Sequence, residues 1–178
     1  MSRDDADSPE TEGHELSADE TLGRLSLLAE ALDPVAPSLA VRSALLDKLH
    51  GAERFTPHAR RVAERFELAL PDVTEALRRI CRADAWRPGF WPGSRQLVTD
   101  ELAAAHTMIA ELPAGFHIPH HRHHARELTY VLDGELLENG KGPYGSGTLL
   151  ELSRGTEHEV SAGAAHPCLV VFGLRFGG

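Results

Sequence analysis

Residues 115–134 read GFHIPHHRHHARELTYVLDG, and this stretch decides the fold. It holds five histidines between positions 117 and 124, a carboxylate at Glu127 and a glycine turn at Gly134. On an extended strand, residues i and i+2 point to the same face. His121 and His123 can therefore reach one point in space, and Glu127 can join them from the same strand or its neighbour. Two imidazoles and a carboxylate on one face is a pattern for a first-row transition metal. His120 and His124 fall on the opposite parity and are expected to face outward or to stand behind the ligands. His117 shares the inward parity, but Pro119 lies between.

A fourth candidate ligand lies downstream. Gly147-x5-Ser153-x-Gly155-x2-His158 places a single histidine after a glycine turn, at the start of another short strand. Glu157 and Glu159 flank it on the wrong face for ligation. Three imidazoles and one carboxylate suit Fe, Mn, Ni or Zn as a divalent ion and exclude a calcium site, which takes oxygen ligands. One negative charge against a dication leaves the site positive, able to polarise an oxygen ligand or to acidify a water.

Taken together, the segments read G-x5-H-x-H-x3-E-x6-G and G-x5-S-x-G-x2-H, and they resemble the two motifs of the cupin superfamily. The first matches at Gly115, His121, His123, Glu127 and Gly134, the second at Gly147, Gly155 and His158. The chain departs at Ser153, where cupins usually have proline, and at Ala162, where asparagine is common. The resemblance implies a mainly β fold, a small double-stranded β-helix or jelly-roll barrel, with one divalent metal ion per chain held by His121, His123, Glu127 and His158.

Outward from the motifs, the chain divides near residue 85. Residues 1–15 form an acidic tail: within 1–20, eight acids stand against Arg3 alone, so −7 of the net charge of −9 lies there. That composition predicts a solvated, disordered segment. The remainder is nearly neutral and has no basic stripe, which argues against direct nucleic-acid binding.

Residues 16–84 read as helices. Ser17-x-x-Glu20 is a capping box ahead of Leu22, Leu25, Ala29 and Leu32. Pro34 and Pro37 separate this helix from a second that runs to about Leu49, with Gly51 as its stop. Thr56-Pro57 reads as an N-cap and first-turn pair, followed by Ala59, Val62, Ala63 and Phe66 on one face. Pro71-Asp72 opens a fourth helix with Val73, Ala76, Leu77, Ile80 and Cys81 on one face, which makes Cys81 a core thiol. The last two helices could pass for a helix-turn-helix, but the would-be recognition helix carries a burial pattern.

Residues 85–178 read as the barrel, entered through Trp86-Arg87-Pro88-Gly89-Phe90-Trp91-Pro92-Gly93, whose indoles call for burial. Short β-type runs follow at 96–99, 104–112, 116–122, 127–133, 134–138, 148–152, 157–160 and 168–175, with turns at Asn139-Gly140 and Gly145-Ser146-Gly147. His166 falls in a turn and Cys168 opens the last strand as a packing thiol. An apolar content of 42% supports a real core. No run approaches the ~20 residues of a membrane span. The polar N-terminus has no signal pattern. Two cysteines without a CxxC point to a reducing cytoplasm. Small barrels bury flat sheet faces by pairing, so a homodimer is expected.

The upstream half narrows the resemblance. Leu32-Asp33-Pro34-Val35-Ala36-Pro37 with Leu39-x2-Arg42-x2-Leu45-Leu46, RFTPHARRVAERFEL (54–68) and AWRPGFWPG (85–93) resemble the approach to the barrel in ChrR-type anti-sigma factors. In that family a zinc-binding helical anti-sigma domain precedes a cupin that serves the response to singlet oxygen or organic hydroperoxide. Here residues 1–84 hold one cysteine, no CxxC, and only His14, His50 and His58. The family's N-terminal zinc set cannot be built from them, so sigma-factor sequestration does not carry over residue by residue.

Three functions follow as expectations. The first is a sensing or regulatory module of the oxidative-stress type, with a sigma factor-like partner or a small-molecule ligand. The second is a non-haem Fe(II) dioxygenase or related cupin oxidoreductase, with Glu127 ligating or swinging away as a base. The third is a structural or sugar-binding barrel that holds a metal.

Overall fold

The computed structural model describes Ser17, Asp19, Leu22, Gly23, Ser26 and residues 36–176. The acidic tail over 1–15 lies outside the described residues. Contacts divide the chain into two compact units, Met1–Arg42 and Ser43–Gly178. In the first, Asp19, Leu22, Gly23 and Ser26 are helical, after the capping-box serine. Helix α1 (Leu39–His50) follows Pro37 and ends ahead of Gly51.

In the second unit a 3-10 segment, Ala52–His58, runs straight into α2 (Ala59–Phe66). Thr56 therefore caps no helix by its side chain: Pro57 sits inside the 3-10 turn, and the Thr56 carbonyl receives the Ala59 N–H. Helix α3 (Leu70–Arg79) has proline in its first turn, where a missing N–H costs nothing. It stops before Ile80, so Cys81 lies beyond the helix and is exposed. The core position expected for that thiol is wrong, because the apolar period was extended past the end of the helix.

Ten strands follow: β1 (Arg87–Pro88), β2 (Arg95–Leu97), β3 (Thr107–Leu112), β4 (His117–Arg122), β5 (Arg126–Asp133), β6 (Leu136–Glu138), β7 (Lys141–Tyr144), β8 (Leu149–Leu152), β9 (Glu157–Ala162) and β10 (Cys168–Arg175). They form two antiparallel sheets, ordered β1-β2-β3-β10-β5-β8 and β4-β9-β6-β7. This is the jelly-roll arrangement the motifs imply. A short helix, α4 (Asp100–Ala104), capped by the Thr99 hydroxyl, replaces the early part of the strand expected from 104. Strand β7 was missed because Gly142 and Pro143 disfavour a strand interior; it occupies a sheet edge, where proline is tolerated.

Two apolar layers hold the unit together. Inside the barrel, Val131, Cys168 and Val170 pack with Leu112, Ile118, Leu136 and Val160. On the outside of the six-stranded sheet, Phe55, Val62, Phe66, Val73 and Leu77 pack against Ile109, Leu128, Tyr130, Leu132 and Val171. The strand faces alternate as pleating requires: on β10, Cys168 and Val170 face inward while Leu169 and Val171 face the helices. Because α3 spends Val73, Ala76 and Leu77 on this second layer, it cannot present that face to a DNA groove.

Strand β5 is buried on both faces over residues 127–132. Glu127, Thr129 and Val131 face the barrel interior, while Leu128, Tyr130 and Leu132 face the helices. The polar link between layers is also here: His58 Nδ1 lies 2.9 Å from the Tyr130 hydroxyl.

Candidate metal centre

His121, His123, Glu127 and His158 each offer a donor atom, and these atoms lie within 4.8 Å of one another. Strand β4 and the turn after it supply His121 and His123, β5 supplies Glu127 and β9 supplies His158. Antiparallel pairing sets His121 opposite His158. A register shift between Ile118 and His121 turns both residues to the cavity although they are three apart. The same shift puts His117 outside: its ring is exposed, 3.0 Å from the Ser161 hydroxyl. His120 and His124 are exposed as well, and so are Glu157, Glu159 and His166. His123, Glu127 and His158 are buried and His121 is half-buried.

Hydrogen bonds fix which nitrogen of each ring faces inward. His121 Nδ1 lies 2.9 Å from the Pro119 carbonyl, which only accepts. His158 Nδ1 lies 3.2 Å from Glu138 Oε1. The Thr156 hydroxyl donates to the Ser153 carbonyl at 2.7 Å, so its lone pair faces His123 Nδ1 at 3.3 Å. Each ring thus places its proton on Nδ1 and its Nε2 lone pair toward the others. Those Nε2 atoms are close: 3.1 Å between His158 and His121, and 3.3 Å between His123 and His121. Metal bonds of about 2.0–2.1 Å place nitrogens at neighbouring coordination positions about 3.0–3.4 Å apart. The cluster therefore fits a single transition ion, which would also offset the mutual repulsion of three converging lone pairs.

Electrostatics favour ligand-ready protonation states at His123 and His158. Burial, reinforced by the neighbouring imidazoles His158 and His121, pushes the His123 ring down to about 4. Burial lowers His158 too, against the pull of Glu138. A neutral His123 makes no ion pair with Glu127, although Glu127 Oε2 stands 3.5 Å from its Nε2. Burial raises Glu127 above the usual carboxylate range, partly offset by the Thr129 hydroxyl at 3.2 Å.

Sequence reasoning missed the residues behind the ligands: Glu138, Thr156 and Thr129. Glu138 had a readable signal, since it shares the parity of Leu136, which lines the interior. Gly134, the last glycine of the first motif, has φ +78°, and a Cβ there would stand 2.5 Å from the Pro167 carbonyl. Only glycine fits that crossing.

Beside the cluster the barrel interior is nearly filled. Its cavity of about 30 Å³ has room for about two waters. An open cleft of about 360 Å³ lies at the mouth, walled by Phe90, Trp91, Phe172, Leu174 and Phe176 and floored by His121, His123 and Glu127. Trp91 is fixed edge-on against Phe172 at 5.8 Å.

The family model described as the ChrR cupin-like domain matches residues 81–175. The chain belongs to the ChrR cupin-like family. No curated protein matches the chain. Among solved structures, this ChrR-like cupin is similar to Rhodobacter sphaeroides SigE in complex with the anti-sigma ChrR, at 21% identity and TM-score 0.47, covering 88% of this chain and 76% of that one. It is also similar to KdgF from Halomonas sp., at 17% identity and TM-score 0.39, covering 51% and 86%. A third is the polyketide cyclase RemF from Streptomyces resistomycificus, at 22% identity and TM-score 0.40, covering 56% and 86%.

Proposed function

We propose that this ChrR-like cupin is a metal-binding sensing or regulatory protein whose ion is held by His121, His123, Glu127 and His158. The observation that carries the reading is β5, which presents Glu127 to the cluster and Leu128, Tyr130 and Leu132 to the helices. A ligand or oxidant that displaces Glu127 acts on a strand whose other face is the floor of the helical layer. The ion supplies a Lewis-acid centre of net positive charge. The open cleft, with its largely apolar walls, admits a small molecule to the side of the cluster where Glu127 stands. Membership of the ChrR cupin-like family supports a protein partner of the sigma-factor type, and the expected state is a cytoplasmic homodimer.

The test is metal analysis of anaerobically purified protein, followed by affinity capture with and without an oxidant. One tightly bound divalent ion per chain and a partner released by oxidant are expected. Recovery of the protein alone under every condition, with robust turnover of a substrate, overturns the reading.

The open cleft beside the cluster favours a second reading, a non-haem Fe(II) dioxygenase or related oxidoreductase. In it Glu127 is the base, and the substrate lies against Trp91 and Phe172. O2 consumption after Fe(II) is restored tests it. Stoichiometric zinc with four protein ligands and no open position counts against it.

A further inference from the structure

We propose that the cleft bounded by Arg126, Ser153, Arg154 and Arg175 is an oxyanion-binding site, separate from the metal cluster, for a carboxylate or phosphate group. The cleft has a volume of about 450 Å³ and its walls are His124, Ala125, Arg126, Ser153, Arg154, Arg175 and Phe176. No carboxylate is among them. Antiparallel pairing sets Arg175 directly opposite Arg126 on neighbouring strands. Like charges in that position repel and are destabilising unless something neutralises them.

Their neutralisation is incomplete. Arg126 pairs with Glu151. Arg175 meets the carbonyl oxygens of Ala105, Leu174 and Phe66 and lies over the Phe66 ring at 5.9 Å, with no carboxylate paired to it among the described residues. These contacts hold its guanidinium in place without an anionic partner and leave Nε–H and one Nη2–H as its unused donors. Arg154, exposed at the strand end, has no ion pair among the described residues. A fixed guanidinium, a second free one and a hydroxyl are the donors that planar or tetrahedral oxyanions take. Ser153 supplies the hydroxyl at the motif position where cupins usually carry proline. It follows directly on Leu152, the partner of Glu127, so it stands beside Arg126 at the ends of β5 and β8.

The cleft shares His124, Ala125 and Phe176 with the mouth above the metal cluster. An anion bound here sits at the entrance to that mouth. The three arginines and Ser153 lie outside the ligand set, so anion binding here does not depend on an ion in the cluster.

Calorimetric titration of the full chain with inorganic phosphate and, separately, acetate tests the site, before and after metal is stripped with chelator. Saturable, salt-sensitive binding is expected to survive stripping and to weaken about tenfold in Arg154→Gln. Arg78→Gln, on the exposed side of α3, should bind as the parent does. Tighter phosphate identifies a phosphate-bearing ligand, and tighter acetate a carboxylate; either supports the site. Arg175→Lys keeps the charge and loses the fork, so it should weaken binding without loss of the fold. Absence of saturable binding to either anion, equal affinity in Arg154→Gln, or binding that disappears with the metal overturns the proposal.

Discussion

At the scale of single residues, the candidate centre depends as much on the groups behind the rings as on the rings. Glu138 fixes the His158 tautomer, and Thr156 that of His123. Removing such a partner typically weakens metal binding about 10–100-fold. Glu138→Gln should fall in that range by competition with a chelator, and His158→Ala should lose more. The buried rings also set an acid limit. The unfolded chain protonates His123 near the ordinary 6.5, whereas the folded chain does so only at about 4. Between those values the unfolded state binds more protons, so stability falls as the pH drops through that window. Thermal melting of metal-stripped protein should therefore show a lower Tm at about pH 5 than at about pH 7.5, and His123→Asn should flatten the difference. At Cys168, burial pushes the thiol up to about 12, and it packs inside the barrel. It should resist alkylation in the folded protein, whereas exposed Cys81 reacts. Mass spectrometry after brief labelling separates the two.

At the scale of elements, close approach governs. The Phe66 ring of α2 lies over β10 at Gly173, where a Cβ would stand 2.9 Å from Phe66 Cδ1 and 3.1 Å from Thr107 Oγ1. Phe66 is 0% exposed and has no room to retreat. Gly173→Ala should cost about 1–3 kcal/mol in urea unfolding through overpacking. Elements also mark where the sequence was legible. The spacing of His121, His123, Glu127 and His158 survives in one dimension because all four lie past the register shift in β4, at the short β4–β5 connection and the start of β9. The outcome at His117 depended on a register shift, which leaves no mark in the residue pattern beyond Pro119. Cys81 was misplaced because an apolar period can outrun the hydrogen bonds that define a helix. Strand β7 escaped because its composition, Lys-Gly-Pro-Tyr, resembles a turn and its pairing is provided by β6.

At the scale of the whole molecule, the 3-10 segment, α2 and α3 share one apolar layer with the barrel. Residues 43–178 should therefore melt as one cooperative unit, with helical circular dichroism and the fluorescence of Trp86 and Trp91 changing together. A bound ion adds to that stability by mass action, about 2.7 kcal/mol at a hundredfold excess over Kd. Chelation should lower both signals' midpoints by the same amount. A barrel that melts while the helices persist would contradict the shared layer. No helix among the described residues is long and apolar enough to cross a membrane.

The two-sided burial of β5 has a consequence for how the chain finds its fold. A slip of one residue would bring Leu128 into the ligand set and push Glu127 beneath the helices. Sliding along its own axis is thus closed to this strand as a way of signalling. Tilting, or fraying from the Arg126 end, remains open. The same alternation makes the four side chains a check on assembly. An ion held by them would bind the in-register barrel and reject the slipped one. Metal present while the chain folds would then act as a proofreader of strand pairing.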